Sequence, residues 1–285
     1  MTPPQLTDRP ALARARARAA RAAPALFLHA EAAAEIKERL TEVNRTFTNP
    51  AIVTGWPQAW QGVVPGARML PDAPVLALEA GAHDLVVHAM ALHWADDPVG
   101  QLVQCRRALR PDGLLLAVAP GGRTLVELRA ALAEAESEVA GGLSPRVLPM
   151  AEIRDLGGLL QRAGLALPVA DSVTLNASYA DAFALMRDLR AMGEGNALAA
   201  RPRRPAPRRL FAAAARRYAE AFATPDGRVR ATFELIFLTG WAPDASQPQP
   251  LRPGSATARL ADALGSSEHP LPDTVPVPPP GGRKS

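Results

Sequence analysis

Short apolar runs alternate along this chain with segments in which apolar residues recur every three or four positions. The apolar runs predict strands buried on both faces, and they lie at residues 50–55, 67–70, 84–87 and 114–119. Further strands are predicted at residues 167–175 and, from strict alternation, at 229–238 near the end of the sheet. The helical period predicts helices at residues 25–43, 97–109, 124–140, 151–163, 181–192 and 210–222. Together these elements predict an α/β fold around a mostly parallel, doubly wound sheet.

The interval 84–119 carries the most specific of these patterns. Its first strand is followed by a helix with Asp97 as the N-cap and Pro98 at the first helical position. The segment 110–113 (RPDG) ends that helix, and the next buried strand follows directly. Strand, helix and strand within about 35 residues have the size of a parallel crossover unit.

Other boundaries follow from capping and turn residues. Thr124 and Glu127 have the spacing of a capping box, and the glycine pair at 141–142 is expected to end the helix that they begin. Residues 56–66 are rich in Trp, Pro and Gly without a helical period, so they are predicted to be a loop.

The chain divides into three predicted parts. Residues 1–45 form an N-terminal helical arm, and residues 46–243 form the main domain. Residues 244–285 are rich in Pro, Ser and Gly and too poor in apolar residues to offset the entropy of ordering, so we expect a disordered tail.

Composition limits the compartment and the chemistry. No apolar run reaches the roughly 20 residues of a membrane-spanning helix, and the single cysteine, Cys105, excludes an intrachain disulfide. Residues 12–23 are rich in Ala and Arg, as transit peptides are, but the same bias extends through the chain, so we expect a cytoplasmic protein. The sequence offers no metal-ligand spacing, and we expect no metal site.

Positive charge is concentrated in two places. The net charge is +4, and much of the excess lies in the N-terminal arm and in residues 201–209 (RPRRPAPRR). Only 5% of the residues are aromatic, whereas nucleic-acid binding needs stacking or a recognition element, so we expect no nucleic-acid partner. Contact with an acidic protein or a lipid surface, as in peripheral membrane association, stays open.

Several segments together resemble a known family. The run at 84–94 (DLVVHAMALHW), with 109–113 (LRPDG) and a following strand, resembles the second half of class I S-adenosylmethionine-dependent methyltransferases. The chain from about residue 8 to 243 is similar to one subfamily, the mitochondrial complex I assembly factor with a methyltransferase fold and its bacterial relatives. The segments that carry this resemblance are 121–127 (GGRTLVE), 144–146 (SPR), 154–156 (RDL), 187–193 (RDLRAMG) and 238–241 (LTGW). A more distant resemblance links the chain to the malonyl-carrier-protein methyltransferases.

The resemblance implies a Rossmann-like sheet of seven strands, a cofactor site at the carboxyl ends of the strands, and a protein substrate, an arginine of a complex I subunit. The chain departs from the family in the cofactor half. Gly55 is followed by Trp56 and Pro57 instead of a Gly-x-Gly loop, and only 28 residues separate Gly55 from Asp84. That interval is too short for the usual elements, so the sheet is predicted to be truncated in its N-terminal half.

Three residues are candidates for binding S-adenosylmethionine. Gly55 occupies the loop after the first strand, where it is either a cofactor contact or an ordinary turn glycine. The resemblance implies that Asp72 binds the adenine amine, although Asp72 after Pro71 also suits an Asx turn. It likewise implies that His88, at the end of a strand, faces the methionine part of the cofactor.

His93 and Trp94 are the candidate catalytic residues. Methyl transfer needs alignment and sometimes a base, which predicts His93 as the base and Trp94 as a cation–π contact of the sulfonium. The alternative is a packed Trp94 and a hydrogen-bonded His93 without a catalytic role. The sequence thus predicts a methyltransferase that acts on a protein in complex I assembly, or a noncatalytic scaffold of the same fold that has lost cofactor binding.

Overall fold

The computed structural model describes residues 4–248 and 264–266, and six strands of this part form one sheet. The strands are β1 (Pro50–Thr54), β2 (Arg68–Leu70), β3 (His83–Ala89), β4 (Leu109–Pro120), β5 (Ala166–Tyr179) and β6 (Val229–Trp241). Their order is β2-β1-β3-β4-β6-β5. The pairs β1–β2, β1–β3 and β3–β4 are parallel, and β6 is antiparallel to both of its neighbours. The predicted α/β fold with a mostly parallel sheet is confirmed.

Helices cover both faces of the sheet. They are α1 (Arg9–Arg21), α2 (Phe27–Val43), α3 (Pro57–Trp60), α4 (Pro98–Ala108), α5 (Val126–Ala140), α6 (Ile153–Arg162), α7 (Ala182–Ala191) and α8 (Arg208–Phe222). Helices α2, α5, α7 and α8 contribute to one apolar layer, and α4 and α6 contribute to the other. The predicted N-cap of α4 is confirmed, because the Asp97 carboxylate accepts from the Gly100 N–H at 2.8 Å.

The central strands show why their sequences are continuously apolar. Leu85 and Val87 of β3 enter the layer of α2 and α5, whereas Val86 enters the layer of α4 and α6. All three side chains are fully buried. Successive side chains of a strand point to opposite faces, so a strand that is covered on both faces needs an apolar residue at every position.

The implied seven-stranded sheet is wrong for the described residues. Between β1 and β3 the chain has room only for α3 and β2, and β2 pairs directly with β1. The truncation predicted for this half is therefore present in the fold. The loop prediction for residues 56–66 is also wrong at α3, where four helical residues bury Trp60 completely, because one turn is too short to show a period.

The predicted capping box is wrong as well. Helix α5 follows Leu125, which has a left-handed φ of 56° and makes no side-chain cap. The Thr124 hydroxyl bonds to the backbone of Glu234, and the Glu127 carboxylate accepts from the Thr232 N–H at 3.1 Å. These backbone groups of β6 are buried and need partners, so the two side chains bond to β6 instead of to their own helix. Gly141 ends α5 with φ 67°, as predicted.

The N-terminal segment is tied to the rest of the chain by polar contacts. Thr7 pairs with Leu198 in an isolated bridge, and the Asp8 carboxylate bonds to Arg201 at 2.9 Å and to Arg203 at 2.7 Å. The Arg203 and Arg201 hydrogen bonds and the Ala11 N–H hold the pKa of Asp8 well below its usual range. These contacts lie within one compact unit, Met1–Ser246.

The predicted tail, residues 244–285, lies mostly outside the described residues. Within the described part of the chain, none of the helices combines the length and apolar character that a membrane crossing requires.

Candidate functional site

A cavity of about 450 Å³ lies beyond the carboxyl ends of β3 and β4. Met90, which follows β3, and Pro120, which ends β4, both line it. Apolar side chains from α2, α5, α7 and α8 form part of the remaining wall, and the segments 147–150 and 192–198 contribute further apolar side chains. Ligands of parallel α/β sheets bind at the carboxyl ends of the strands, so this cavity is the candidate functional site.

His93 and Trp94 both line the cavity. They contact Glu194, a polar residue that the sequence did not predict. They lie in a 3-10 turn, Leu92–Trp94, directly after β3. The Trp94 indole N–H donates to Glu194 Oε2 at 2.7 Å, and His93 Nε2 lies 3.3 Å from the same oxygen. Glu194 is about 100 positions later in the chain, so no local pattern connects it to the turn.

Glu194 carries the negative charge of this group. Burial opposes ionisation of its carboxyl, but the hydrogen bond and charge of His93, the charge of Arg16 and the Trp94 hydrogen bond outweigh burial and lower its pKa below 4.5. Glu194 is therefore a carboxylate at neutral pH. About 21% of its side chain stays exposed, and Glu194 lines the cavity.

His29 of α2 also lines the cavity, and no sequence pattern indicates it. The Trp60 indole N–H donates to His29 Nδ1 at 3.0 Å, so the proton of a neutral ring lies on Nε2. Burial lowers the pKa of His29 to about 4, and His29 is neutral at physiological pH.

Arginines stand at the solvent side of the cavity. Arg18 and Arg190 line the cavity and are exposed, so their guanidinium groups reach solvent. Arg146 also lines it, but this side chain is paired with Glu136 at 2.5 Å. The cavity thus combines apolar walls, one carboxylate and a basic mouth.

The three predicted cofactor residues do not line this cavity. Both carboxylate oxygens of Asp72 accept from Arg16 Nη1 at 2.9 Å, and Arg9 lies 3.4 Å from Asp72 Oδ2. The same Arg16 guanidinium lies against Gly55, where a Cβ would overlap it.

His88 faces a different neighbour. Its Nε2 lies 3.2 Å from Gln101 Oε1, and the Gln101 amide in turn donates to the carbonyls of Ala73 and Pro74. Burial lowers the pKa of His88. His88 is therefore a neutral, buried residue that braces the loop after β2.

These residues do not fit S-adenosylmethionine in the arrangement that the resemblance implies. The Asp72 carboxylate is already bonded to two arginines, and the space beside Gly55 is filled by Arg16. Trp56, which follows Gly55, is only 2% exposed. Among the described residues, no group of three His, Cys, Asp or Glu side chains is placed to hold a metal ion.

Residues 58–117 match the family model described as a methyltransferase domain. The chain is 36% identical to arginine-hydroxylase NDUFAF5, mitochondrial, of Danio rerio over 199 residues, which is 70% of this chain and 62% of that relative. It is 37% identical to the human protein of that name over 209 residues, which is 73% of this chain and 60% of the relative. The chain is a homologue of these proteins.

The match to NDUFAF5 spans only about three-fifths of these relatives' own length. The malonyl-[acyl-carrier protein] O-methyltransferase of Laribacter hongkongensis is 35% identical over 192 residues, 66% of this chain and 61% of the relative. A putative methyltransferase of Bacillus halodurans has a TM-score of 0.47 and 14% identity over 73% of this chain and 99% of that structure. NDUFAF5 and the malonyl relative are named for different reactions. The sequence similarity therefore supports a methyltransferase domain in this chain but does not select one reaction for it.

Proposed function

We propose that this chain binds an arginine side chain of a partner protein in the cavity, as part of respiratory complex I assembly. The observation that carries the proposal is the Glu194 carboxylate beside the Trp94 indole at the cavity wall. A guanidinium pairs with a carboxylate through its N–H groups and stacks on aromatic faces. The NDUFAF5 relatives carry the name arginine-hydroxylase, which agrees with arginine as the bound group.

The remaining cavity surface suits a protein segment. The apolar walls accommodate the methylene stem of an arginine while its charged end reaches Glu194. The exposed Arg18 and Arg190 favour acidic residues next to that arginine in the partner. By the resemblance described above, we propose a complex I subunit as the partner and the cytoplasm as the compartment. The basic residues in the segment 201–209 support peripheral contact with an anionic membrane.

Methylation of the same arginine with S-adenosylmethionine is the second candidate function. The methyltransferase-domain match over residues 58–117 favours it. That function would require Gly55, Asp72 and His88 to hold the cofactor, His93 to act as the base and Trp94 to contact the sulfonium. The Arg16–Asp72 pair and the filled space beside Gly55 weigh against it. Binding without the cofactor, the role of a noncatalytic assembly factor, is therefore the first candidate.

Peptide binding tests the proposal. A blocked peptide Gly-Asp-Arg-Asp-Gly is titrated against the full chain by calorimetry, beside the same peptide with citrulline, which keeps the shape of arginine and lacks its charge. Arginine is expected to bind at least about tenfold more tightly, because hydrogen bonds between charged groups contribute about 1.5–3 kcal/mol. Equal affinity for the two peptides would contradict the proposal.

Two variants locate the effect. Glu194→Gln keeps the size of the side chain and removes its charge, so the preference for arginine over citrulline is expected to disappear. Glu134→Gln on the exposed surface of α5 is the matched control and should keep the preference. Loss of preference in both variants, or in neither, would show that the peptide does not bind at Glu194.

A further inference from the structure

The order of strands reverses between β1 and β3, since β2 lies on one side of this pair and β4 on the other. Nucleotide ligands of open α/β sheets bind in the crevice outside the carboxyl ends of the strands at such a point. Gly55 directly follows β1 here, and Met90 directly follows β3. A nucleotide cofactor would have to enter this crevice.

Arg16 of α1 fills the β1 side of the crevice. Its guanidinium lies against Gly55 and bonds to both oxygens of Asp72 at 2.9 Å. Both side chains of this pair are 12% exposed. We propose that the Arg16 side chain itself occupies the crevice, so that the chain binds no nucleotide cofactor there. Asp72 anchors α1 instead of binding a cofactor.

The backbone after α7 closes the crevice from another direction. Gly193 has φ 76°, and a Cβ at this position would lie 2.9 Å from Trp56 Cζ2 and 3.1 Å from Arg16 Cα. Only a glycine permits both this backbone conformation and this close approach. Three separate segments therefore meet around Arg16, and the occupancy does not depend on the ion pair alone.

The arm that carries Arg16 also holds the turn with His93 and Trp94. The Thr7 hydroxyl donates to the Trp94 carbonyl at 3.0 Å, and the Asp96 carboxylate accepts from the Thr7 N–H at 2.8 Å. Docking of the arm in place of a cofactor thus fixes one wall of the candidate site. The N-terminal segment thus holds the turn with His93 and Trp94 in place, a role that a bound cofactor would otherwise have.

Cofactor binding gives the direct test. S-adenosylmethionine is titrated by calorimetry to millimolar concentration into the full wild-type chain, without peptide. No saturable binding is expected. Binding at micromolar concentration that is lost in Asp72→Asn would overturn the proposal, because Asp72 would then serve the cofactor. The result is independent of peptide binding at Glu194.

Amide hydrogen exchange tests the anchoring role. Asp72→Asn and Arg16→Ala are each expected to raise exchange at least about tenfold in the amides of α1, because each removes the buried Arg16–Asp72 ion pair that ties α1 to the loop after β2. Arg14→Ala is the control, since Arg14 lies on the same helix and is exposed. Exchange in α1 that is equal in Arg16→Ala and Arg14→Ala would overturn the anchoring role, and so would unchanged exchange in Asp72→Asn.

Discussion

Burial, hydrogen bonds and neighbouring charges together set the charge of the buried polar residues around the cavity. The Trp60 indole fixes one tautomer of His29, and burial keeps the ring neutral. The Trp94 indole and His93 stabilise the ionised form of Glu194. The Trp60 indole therefore bonds to a neutral imidazole, and the Trp94 indole bonds to a carboxylate. Of these two acceptors only Glu194 is charged, so Glu194 is the group that attracts a cation.

His29 gives the chain a defined response to acid. Its pKa is lowered from 6.5 to about 4 in the folded state, so between these pH values the unfolded chain binds a proton that the folded chain does not. The free energy of unfolding should fall by roughly 3 kcal/mol as the pH drops through this window, at about 1.4 kcal/mol per pKa unit. Denaturant unfolding at pH 7 and at pH 4 measures this loss.

The variant His29→Asn separates this effect from the carboxylates, which also lose stabilising interactions in acid. Asparagine keeps an acceptor for the Trp60 indole and does not titrate. The loss of stability between pH 7 and pH 4 should therefore be smaller in the variant by about the His29 contribution. Identical pH profiles of the two chains would show that His29 is not held neutral.

Sequence reasoning could bring His93 and Trp94 to the site because both follow a recognisable strand, and their catalytic roles remain predictions. It could not find Glu194 or His29, because their partners are distant in sequence and neither residue stands in a motif. The cofactor roles of Gly55, Asp72 and His88 remain predictions too. The structure gives the first two a common neighbour, Arg16, which only the packing of α1 reveals.

At the level of elements, strand and helix patterns predicted the crossover from β3 through α4 to β4, but β4 begins at Leu109 and includes residues 110–113, which were predicted to lie between helix and strand. Apolar periods are reliable there because both faces of the sheet are covered. Side-chain spacing was a poorer guide at α5, where Thr124 and Glu127 bond to β6. A capping motif and a contact between elements use the same polar residue types, and only tertiary structure distinguishes them.

The contact of Glu127 with β6 can be measured. Glu127→Ala should cost about 1–3 kcal/mol in the free energy of unfolding, because the buried Thr232 N–H loses its acceptor. Glu134→Ala lies on the same helix but removes only an exposed ion pair with Arg217, which is expected to cost about 0–1 kcal/mol. Denaturant unfolding of the two variants beside the wild type makes the comparison. Equal losses would mean that Glu127 does not support β6.

At the level of the whole molecule, the short interval between β1 and β3 changes which residues face the crevice. The sequence predicted the truncation from chain length alone. It could not predict that β2 would pair directly with β1 or that α1 would supply Arg16 to the vacated space. Both outcomes follow from the need to cover strand ends and pair buried charges, which depends on segments remote from the deletion.

Cys105 offers a measurement of the stability of this whole arrangement. It is the only cysteine of the chain, lies fully buried in α4, and burial raises its pKa to about 12. A thiol reagent such as a maleimide should therefore modify the native chain at least about a thousandfold more slowly than the unfolded chain, since native domains have unfolding free energies of about 5–15 kcal/mol. If α4 and the sheet open only together, the modification rate and the unfolding equilibrium should change in parallel across low denaturant concentrations. Modification of the native chain at nearly the unfolded rate would instead show that α4 separates from the sheet on its own, and the layer of α4 and α6 would then not belong to a single cooperative core.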